Sequence, residues 1–382
     1  MSFRILYVSH SIPPVDQPLQ NIGGMQNVSL QLMEELEHRE DVELLSVVQR
    51  TPWSGIGSAT TRFLFSLAAT LPGKARAFRP DVVLFSSMVT AGVVPFLKGR
   101  FPWPSVVINH GQDVTLPFWV YQWYVPRIFR SMSGVISVSA ATREACIERG
   151  MDPALGVALP NGLDVTRRTD LPDRSVSQER LKSRFGLDVQ QGQHLLLTVG
   201  RHVLRKGHRW FVEEVLPNVE SNVVYLIVGD GPETPTIRDA IRRMGMEEQV
   251  ILSGRIPEEE LQMAYSLADL FIMPNIPVPG DMEGFGIVLL EANQAGVPAV
   301  ASDLEGIRDV IRPGINGYRV PHGEPILFAR EVDRVLREEL QELKKKCGPF
   351  VHDEFGWERV AERYVSYLKQ VASREISPSV DA

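Results

Sequence analysis

The chain reads His194-Leu195-Leu196-Leu197-Thr198-Val199 and continues with Gly200-Arg201. This apolar run is short and shows little polar alternation, which is typical of a strand buried on both faces. A helical pattern begins in the segment that follows this run. The repetition of strand and helix along the chain predicts a doubly wound parallel sheet. Similar runs lie at residues 3–9, 43–48, 81–85, 105–109, 134–138, 222–228, 249–252, 269–273 and 298–301.

The strand and helix pattern is interrupted once, by a polar segment at residues 164–180. Its composition predicts a linker, and the alternation of strands and helices begins again after it. A length of 382 residues also favours two domains over one. We therefore predict the α/β class, with two Rossmann-like, doubly wound parallel-sheet domains that face each other across a cleft. Ligands should bind at the carboxyl ends of the strands.

The composition excludes several classes of protein. With 44% hydrophobic and 23% charged residues, the chain is too apolar to be disordered. Cys146 and Cys347 form neither a disulfide framework nor a zinc motif, which fits a cytoplasmic protein. No apolar run approaches the roughly 18 residues that span a bilayer, and we expect no secretory signal. No spacing of His, Asp or Glu predicts a metal site.

The charge is distributed unevenly. The net charge of −7 argues against a nucleic-acid partner, but residues 44–143 hold ten bases and only two acids. Aromatic residues lie among the bases at 118–130, a composition that fits a membrane interface. The segment therefore predicts a face for an anionic surface or substrate, with plain core packing of its aromatics as the alternative.

The strongest chemical motif is EGFGIVLLEA at residues 283–292. Its glycines allow a loop to approach a ligand, and backbone N–H groups of residues 285–287 would open a helix and bind a diphosphate. Glu291 can accept hydrogen bonds from ribose hydroxyls, and Glu283 can reach another part of the same ligand. The alternative is that Glu283 only compensates the helix dipole while Glu291 faces solvent.

Three further motifs lie after predicted strands. Arg201 and Lys206 can neutralise a diphosphate, unless they are solvated surface bases. Gly23-Gly24 precedes an amphipathic helix and is either a phosphate-accessible helix start or a turn. His110 can hydrogen-bond a sugar hydroxyl or take a proton, with His10 as its rival and a structural role as the alternative for either. A dinucleotide-binding glycine fingerprint is poorly supported.

In combination, these motifs resemble the retaining GT-B glycosyltransferases of the family 4 type, the glycosyl transferases group 1. The resemblance covers most of the chain and rests on the order and spacing of its motifs. They are Gly23-Gly24, Ser137-Val138-Ser139, Pro160–Asp164, Gly200-Arg201 with Lys206-Gly207, Val228–Pro232, Gly254-Arg255, Glu283 with Glu291, Gly296-Val297-Pro298 and Ala301-Ser302-Asp303.

The resemblance implies a role for each candidate site residue. The donor diphosphate would contact Arg201, Lys206, the two glycines Gly23 and Gly24, and the loop at Gly200. Glu283 and His110 would recognise the transferred sugar and Glu291 the ribose. The remaining contacts would come from backbone at Arg255 and Ile256 for the base, and from the amides of Phe285, Gly286 and Ile287 for the phosphates.

The implied enzyme is a metal-independent, retaining hexosyltransferase. It would need no cofactor beyond its nucleotide-diphosphate sugar donor, and its acceptor would be a lipid-linked or cell-envelope glycan. The expected domains are 1–168 on the acceptor side, 169–356 for the donor, and 357–382 as a helix that crosses back and ends in a frayed tail. A nucleotide-sugar epimerase, a nicotinamide oxidoreductase and a non-catalytic nucleotide-sugar-binding protein remain as alternatives.

Two segments depart from the family pattern. The loop at residues 275–282 is longer than the usual link to the first glutamate, so we expect it to alter sugar selection or to cover the site. Glu305-Gly306 stands where relatives often have Gly-Gly.

Overall fold

The computed structural model describes residues 2–14, 24–51, 56–97, 99–166 and 171–376. The chain forms two compact units. The first unit comprises Met1–Leu163 with Gly356–Ala382, and the second comprises Asp164–Phe355.

The first unit is built on a six-stranded parallel sheet. Its central strands are fully buried, as their apolar sequences predict. The strand order is β2-β1-β3-β4-β5-β6, with β1 at Phe3–Ile12, β2 at Val42–Arg50, β3 at Val82–Phe85, β4 at Ser105–Asn109, β5 at Gly134–Ser137 and β6 at Gly156–Ala158. The helices between the strands are α1 (Gly24–His38), α2 (Ile56–Phe78), α3 (Met88–Ala91), α4 (Gln112–Thr115), α5 (Trp119–Phe129) and α6 (Ala140–Glu148), with 3₁₀ turns at Val94–Leu97 and Pro153–Leu155.

The second unit repeats this architecture. Its six parallel strands have the order β12-β11-β10-β7-β8-β9, with β7 at His194–Val199, β8 at Val223–Val228, β9 at Val250–Gly254, β10 at Leu270–Met273, β11 at Ala299–Ser302 and β12 at Gly317–Val320. Its helices are α7 (Arg174–Phe185), α8 (His208–Trp210), α9 (Thr234–Met244), α10 (Glu258–Leu267), α11 (Ile287–Gln294), α12 (Ile307–Val310), α13 (Pro325–Arg334) and α14 (Leu340–Phe355). Leu204–Lys206 and Leu216–Asn218 are 3₁₀ turns, and Phe211–Val215 and Val335–Glu339 are π-helical.

The last helix, α15 (Trp357–Ile376), belongs to the first unit although the chain reaches it from the second. The Trp357 indole N–H donates to Gln31 on α1 at 2.7 Å, and the Tyr367 hydroxyl donates to the Leu155 carbonyl at 2.6 Å. Gly134 allows this packing, because a Cβ there would lie 2.7 Å from the Tyr367 hydroxyl oxygen.

The strand orders fix where a ligand can bind. In the second unit β8 and β9 lie on one side of β7, whereas β10 to β12 lie on the other. Connections therefore leave β7 and β10 in opposite directions and open a crevice at the carboxyl ends of these two strands. The first unit has the corresponding point between β1 and β3. The predicted α/β class with two doubly wound parallel sheets is confirmed.

Candidate active site at the carboxyl ends of the strands

A buried ionic cluster lies where β7 and β10 end. The Lys206 ammonium nitrogen is 2.7 Å from Glu283 Oε2, and the Arg205 guanidinium contacts the same oxygen at 2.7 Å. Asn275 donates a third hydrogen bond to it at 3.1 Å. Arg205 also pairs with Asp281 at 2.9 Å. Three donors on one carboxylate oxygen hold Glu283 in a single orientation.

The charges of this cluster stabilise one another. Burial alone would raise the pKa of the Glu283 carboxyl, but Lys206 and Arg205 outweigh it and lower that pKa to about 2. Burial lowers the pKa of the Lys206 ammonium, although Glu283 opposes this shift. A carboxylate with so low a pKa is a poor base and a weak nucleophile, so Glu283 is suited to binding and orientation.

The backbone directly after Lys206 leaves no room for a side chain at position 207. Gly207 has a φ of +64°, and a Cβ there would lie 1.8 Å from the Pro274 carbonyl oxygen. The Ile276 N–H donates to the Arg205 carbonyl at 2.9 Å. The loop after β7 is thus tied to the long loop after β10, and Arg205 binds that loop again through Asp281.

The EGFG segment leads from Glu283 into α11. Gly286 is the residue before the helix and has a φ of +85°, a conformation that favours glycine. The Phe285 ring is buried and packs against Phe355 with ring centroids 6.1 Å apart. The helix begins at Ile287, as predicted, and Glu291 on it accepts a hydrogen bond of 3.4 Å from the Tyr265 hydroxyl.

The other candidates of the second unit lie at strand ends. Gly200 follows β7 and donates its N–H to the Val228 carbonyl at 2.9 Å. Arg201 is exposed, and within the described ranges it makes no ion pair. Arg255 is exposed and Ile256 half-buried directly after β9. The structure therefore separates the two predicted diphosphate bases into an exposed Arg201 and a buried, paired Lys206.

The candidates of the first unit lie near the ends of β1, β3 and β4. His110 Nε2 is 2.9 Å from the Ser86 carbonyl oxygen, and since a carbonyl only accepts, this nitrogen carries the proton. The Asp113 carboxylate accepts the His110 backbone N–H at 2.8 Å. Gly24 is the first residue of α1, whereas Gly23 lies outside the described residues.

His10, the predicted rival of His110, is buried on β1. Its Nδ1 is 3.4 Å from the Ser87 hydroxyl oxygen. Burial, with a smaller contribution from His110, lowers the pKa of His10 to about 4. The imidazole of His10 is therefore neutral at neutral pH.

Sequence reasoning missed four residues that shape these sites. They are Arg205, Asn275 and Asp281 around Glu283, and Asp113 beside His110. Arg205 adjoins a predicted site residue, and Asn275 and Asp281 follow a predicted strand. Their positions at strand ends were thus a usable signal, but their partners are distant in sequence.

Two kinds of feature are absent from the described residues. In that part of the chain, no three His, Cys, Asp or Glu side chains are grouped as metal ligands. Nor does any helix there combine the length and apolarity needed to cross a bilayer.

Comparison with known proteins places the chain in a family. Residues 193–338 match the family described as Glycosyl transferases group 1, and residues 23–162 match the Glycosyl transferase 4-like domain. Phosphatidyl-myo-inositol mannosyltransferase of Mycobacterium leprae is 30% identical over 278 residues, which are 71% of this chain and 68% of that protein. The chain belongs to the GT-B glycosyltransferases of the family 4 type.

The chain is also similar to two further proteins. An uncharacterized glycosyltransferase of Methanocaldococcus jannaschii is 29% identical over 198 residues; the match spans 50% of this chain and only 49% of that relative. HepE of Anabaena, solved in complex with UDP, has a TM-score of 0.74 at 18% identity and covers 96% of this chain and all of its own. That likeness supports the GT-B fold of this family 4 chain.

Proposed function

We propose that this protein transfers a sugar from a nucleoside diphosphate sugar to a glycan or lipid-linked acceptor. The observation that carries the proposal is the Lys206–Glu283–Arg205 cluster at the carboxyl ends of β7 and β10. In this cluster two cations, Lys206 and Arg205, hold the Glu283 carboxylate in one orientation, four residues before the helix N-terminus at Ile287. Positive charge that is fixed in advance stabilises a diphosphate as it departs.

The proposed reaction keeps the anomeric configuration. The bond between the anomeric carbon and the diphosphate oxygen breaks, the acceptor oxygen bonds to the same face of that carbon, and the leaving phosphate takes the acceptor's proton. Glu283 is held as a carboxylate by two cations, so it serves to bind the sugar rather than to attack it. Lys206, with Arg201 nearby in sequence, meets the negative charge that develops on the diphosphate, and no metal ion is required.

The remaining assignments follow the same proposal. Glu291 binds the ribose, the backbone at Arg255 and Ile256 contacts the base, and His110 offers Nδ1 to a sugar hydroxyl. A hexose donor is supported by the M. leprae mannosyltransferase relative, and a uridine nucleotide by the HepE complex with UDP.

A panel of nucleotide sugars tests this function. UDP-, GDP- and ADP-hexoses are each incubated with the protein, with and without EDTA, and binding and slow donor hydrolysis are measured. We expect one base to be preferred, with rates unchanged by EDTA. The configuration of the product's anomeric centre is read by NMR. Inversion of that centre would contradict the proposed mechanism. Conversion of the donor into an epimer would show that the protein is an epimerase and not a transferase.

We further propose that the first unit binds an anionic membrane surface, where a lipid-linked acceptor would be found. Trp119 and Trp123 on α5 are 78% and 61% exposed, and Phe96 on the adjoining 3₁₀ turn is 77% exposed. Phe96 stacks on Tyr124 at 5.7 Å, so the turn and α5 form one aromatic surface. Exposed aromatic rings of this size are typical of proteins that enter a lipid headgroup layer.

Basic residues accompany these rings. The Arg127 guanidinium lies 3.6 Å from the Trp123 ring centroid, and Arg62, Arg100 and Arg130 are exposed. The two acids of residues 44–143 are Asp81 and Asp113, and both carboxylates accept backbone N–H hydrogen bonds. The excess of positive charge is complementary to anionic lipid.

Vesicle binding checks this surface. The double variant Trp119→Ser/Trp123→Ser should bind vesicles that contain phosphatidylglycerol at least about tenfold more weakly than wild type, because two exposed aromatic anchors are removed. Ile326→Ser/Leu327→Ser is the control, since these are also neighbouring exposed apolar side chains, on α13 of the second unit. Equal binding by the two double variants, or equal binding to uncharged phosphatidylcholine vesicles, would contradict the proposal.

A further inference from the structure

Glu305 adopts a backbone conformation that its residue type disfavours. Its φ is +47°, and among the described residues only Arg79, with a φ of +53°, shares this property without being glycine. Glycine accepts such a conformation without strain, whereas a residue with a Cβ does not. The backbone therefore does not require a glutamate here, and strain of this kind is usually retained at functional sites.

The Glu305 side chain reaches the segment that holds Glu283. Its Oε2 accepts the Glu283 backbone N–H at 2.5 Å, and the Gly306 N–H donates to the Glu283 carbonyl at 3.1 Å. Gly306 fits there only as glycine, because a Cβ would lie 2.2 Å from the Gly284 carbonyl oxygen. These contacts hold the Glu305 carboxyl beside the residue that the proposed function assigns to the transferred sugar.

The charges around Glu283 contain an excess of acid. Glu283, Asp281 and Glu305 face the two bases Arg205 and Lys206. The two bases are already paired with Glu283 and Asp281, whereas within the described chain the Glu305 carboxyl makes its one hydrogen bond through Oε2. Burial raises the pKa of the Glu305 carboxyl, and the charge of Glu283 adds to this shift, whereas the Glu283 N–H opposes it. In its ionised form, a carboxyl with accepting capacity left over attracts hydroxyl donors and repels another carboxylate.

We propose that Glu305 determines which sugar the donor carries, by accepting a hydrogen bond from a sugar hydroxyl beside Glu283 and by excluding sugars that bear a carboxylate. The inference rests on the proposed function and deepens it, since it assigns the donor to the neutral sugars.

Two variants separate the hydrogen bond from the charge. Glu305→Gln keeps an accepting oxygen without the charge, whereas Glu305→Gly removes both and relieves the backbone. For each protein, kcat/KM for donor hydrolysis is measured with UDP-glucose and UDP-glucuronic acid, or with GDP-mannose and GDP-mannuronic acid if guanosine is the accepted base. Arg79→Gly is the control, because it relieves a similar φ in the first unit.

The ratio of neutral-donor to acidic-donor kcat/KM should fall at least about tenfold in both Glu305 variants and stay unchanged in Arg79→Gly. Glu305→Gln should lose less of the neutral-donor kcat/KM than Glu305→Gly, which should lose about tenfold of it. Unchanged ratios in variants that still bind the nucleoside diphosphate would overturn the role of Glu305 alone. Failure of the wild type to bind UDP, GDP or ADP would overturn the proposed function, and this inference with it.

Discussion

Replacement of Lys206 with methionine is expected to lower kcat/KM for donor turnover by roughly 10²–10³-fold, the usual cost of one preorganised charge at a transition state. The ammonium lies buried, 2.7 Å from the Glu283 carboxylate. Methionine fills a similar space but leaves Glu283 with Arg205 as its one basic partner and removes a cation from the departing diphosphate. The effect should appear mainly in kcat, because the charge that needs this cation develops in the transition state.

The control for this variant is Lys345→Met. Lys345 is an exposed lysine of the same unit, paired with Glu342 at 3.1 Å on the surface of α14. Its replacement should leave turnover and thermal stability within error, because surface ion pairs contribute little. Turnover near the wild-type rate in a folded Lys206→Met protein would show that the ionic cluster has no role in the mechanism.

Replacement of Gly207 with alanine should strongly destabilise the second unit. A Cβ at this position would lie 1.8 Å from the Pro274 carbonyl oxygen, and that oxygen belongs to backbone that cannot swing aside. The left-handed conformation adds about 1 kcal/mol for any side chain, and the steric conflict adds about 2–3 kcal/mol more. The free energy of unfolding of the second unit should therefore fall by about 3–4 kcal/mol.

The variant Gly245→Ala separates the cost of the left-handed backbone conformation from the cost of the steric conflict. Gly245 ends α9 with the same φ of +64°, but a Cβ there meets nothing within 4 Å. Urea unfolding monitored by circular dichroism should show a loss of about 1 kcal/mol for Gly245→Ala and the larger loss for Gly207→Ala. Equal losses of unfolding free energy in the two variants would show that the loop after β10 does not clash with a side chain at position 207.

The sequence by itself determined the class of fold. Short apolar runs without alternation are typical of strands in a parallel sheet, and ten strands could be located from this local pattern. The two strands that this pattern missed are edge strands. β6 is a short segment of half-buried residues and β12 is half-buried in its middle, so neither carries a continuous apolar signal.

The sequence also located the ends of strands where the site lies, because glycines and charged residues follow the apolar runs there. It named Lys206 and Glu283 separately, but it assigned Lys206 to the diphosphate alone. Only the tertiary structure brings the two side chains together and adds Arg205 to the pair.

Only the tertiary structure could decide these partners. Arg205 and Glu283 are 78 positions apart, and Arg205 and Asp281 are 76 apart. Such pairs form because the order of the sheet places the end of β10 beside the end of β7, and no local pattern encodes that adjacency. Local sequence thus determines most of the strands and loops, whereas the arrangement of the strands decides which loops meet and which charges neutralise each other.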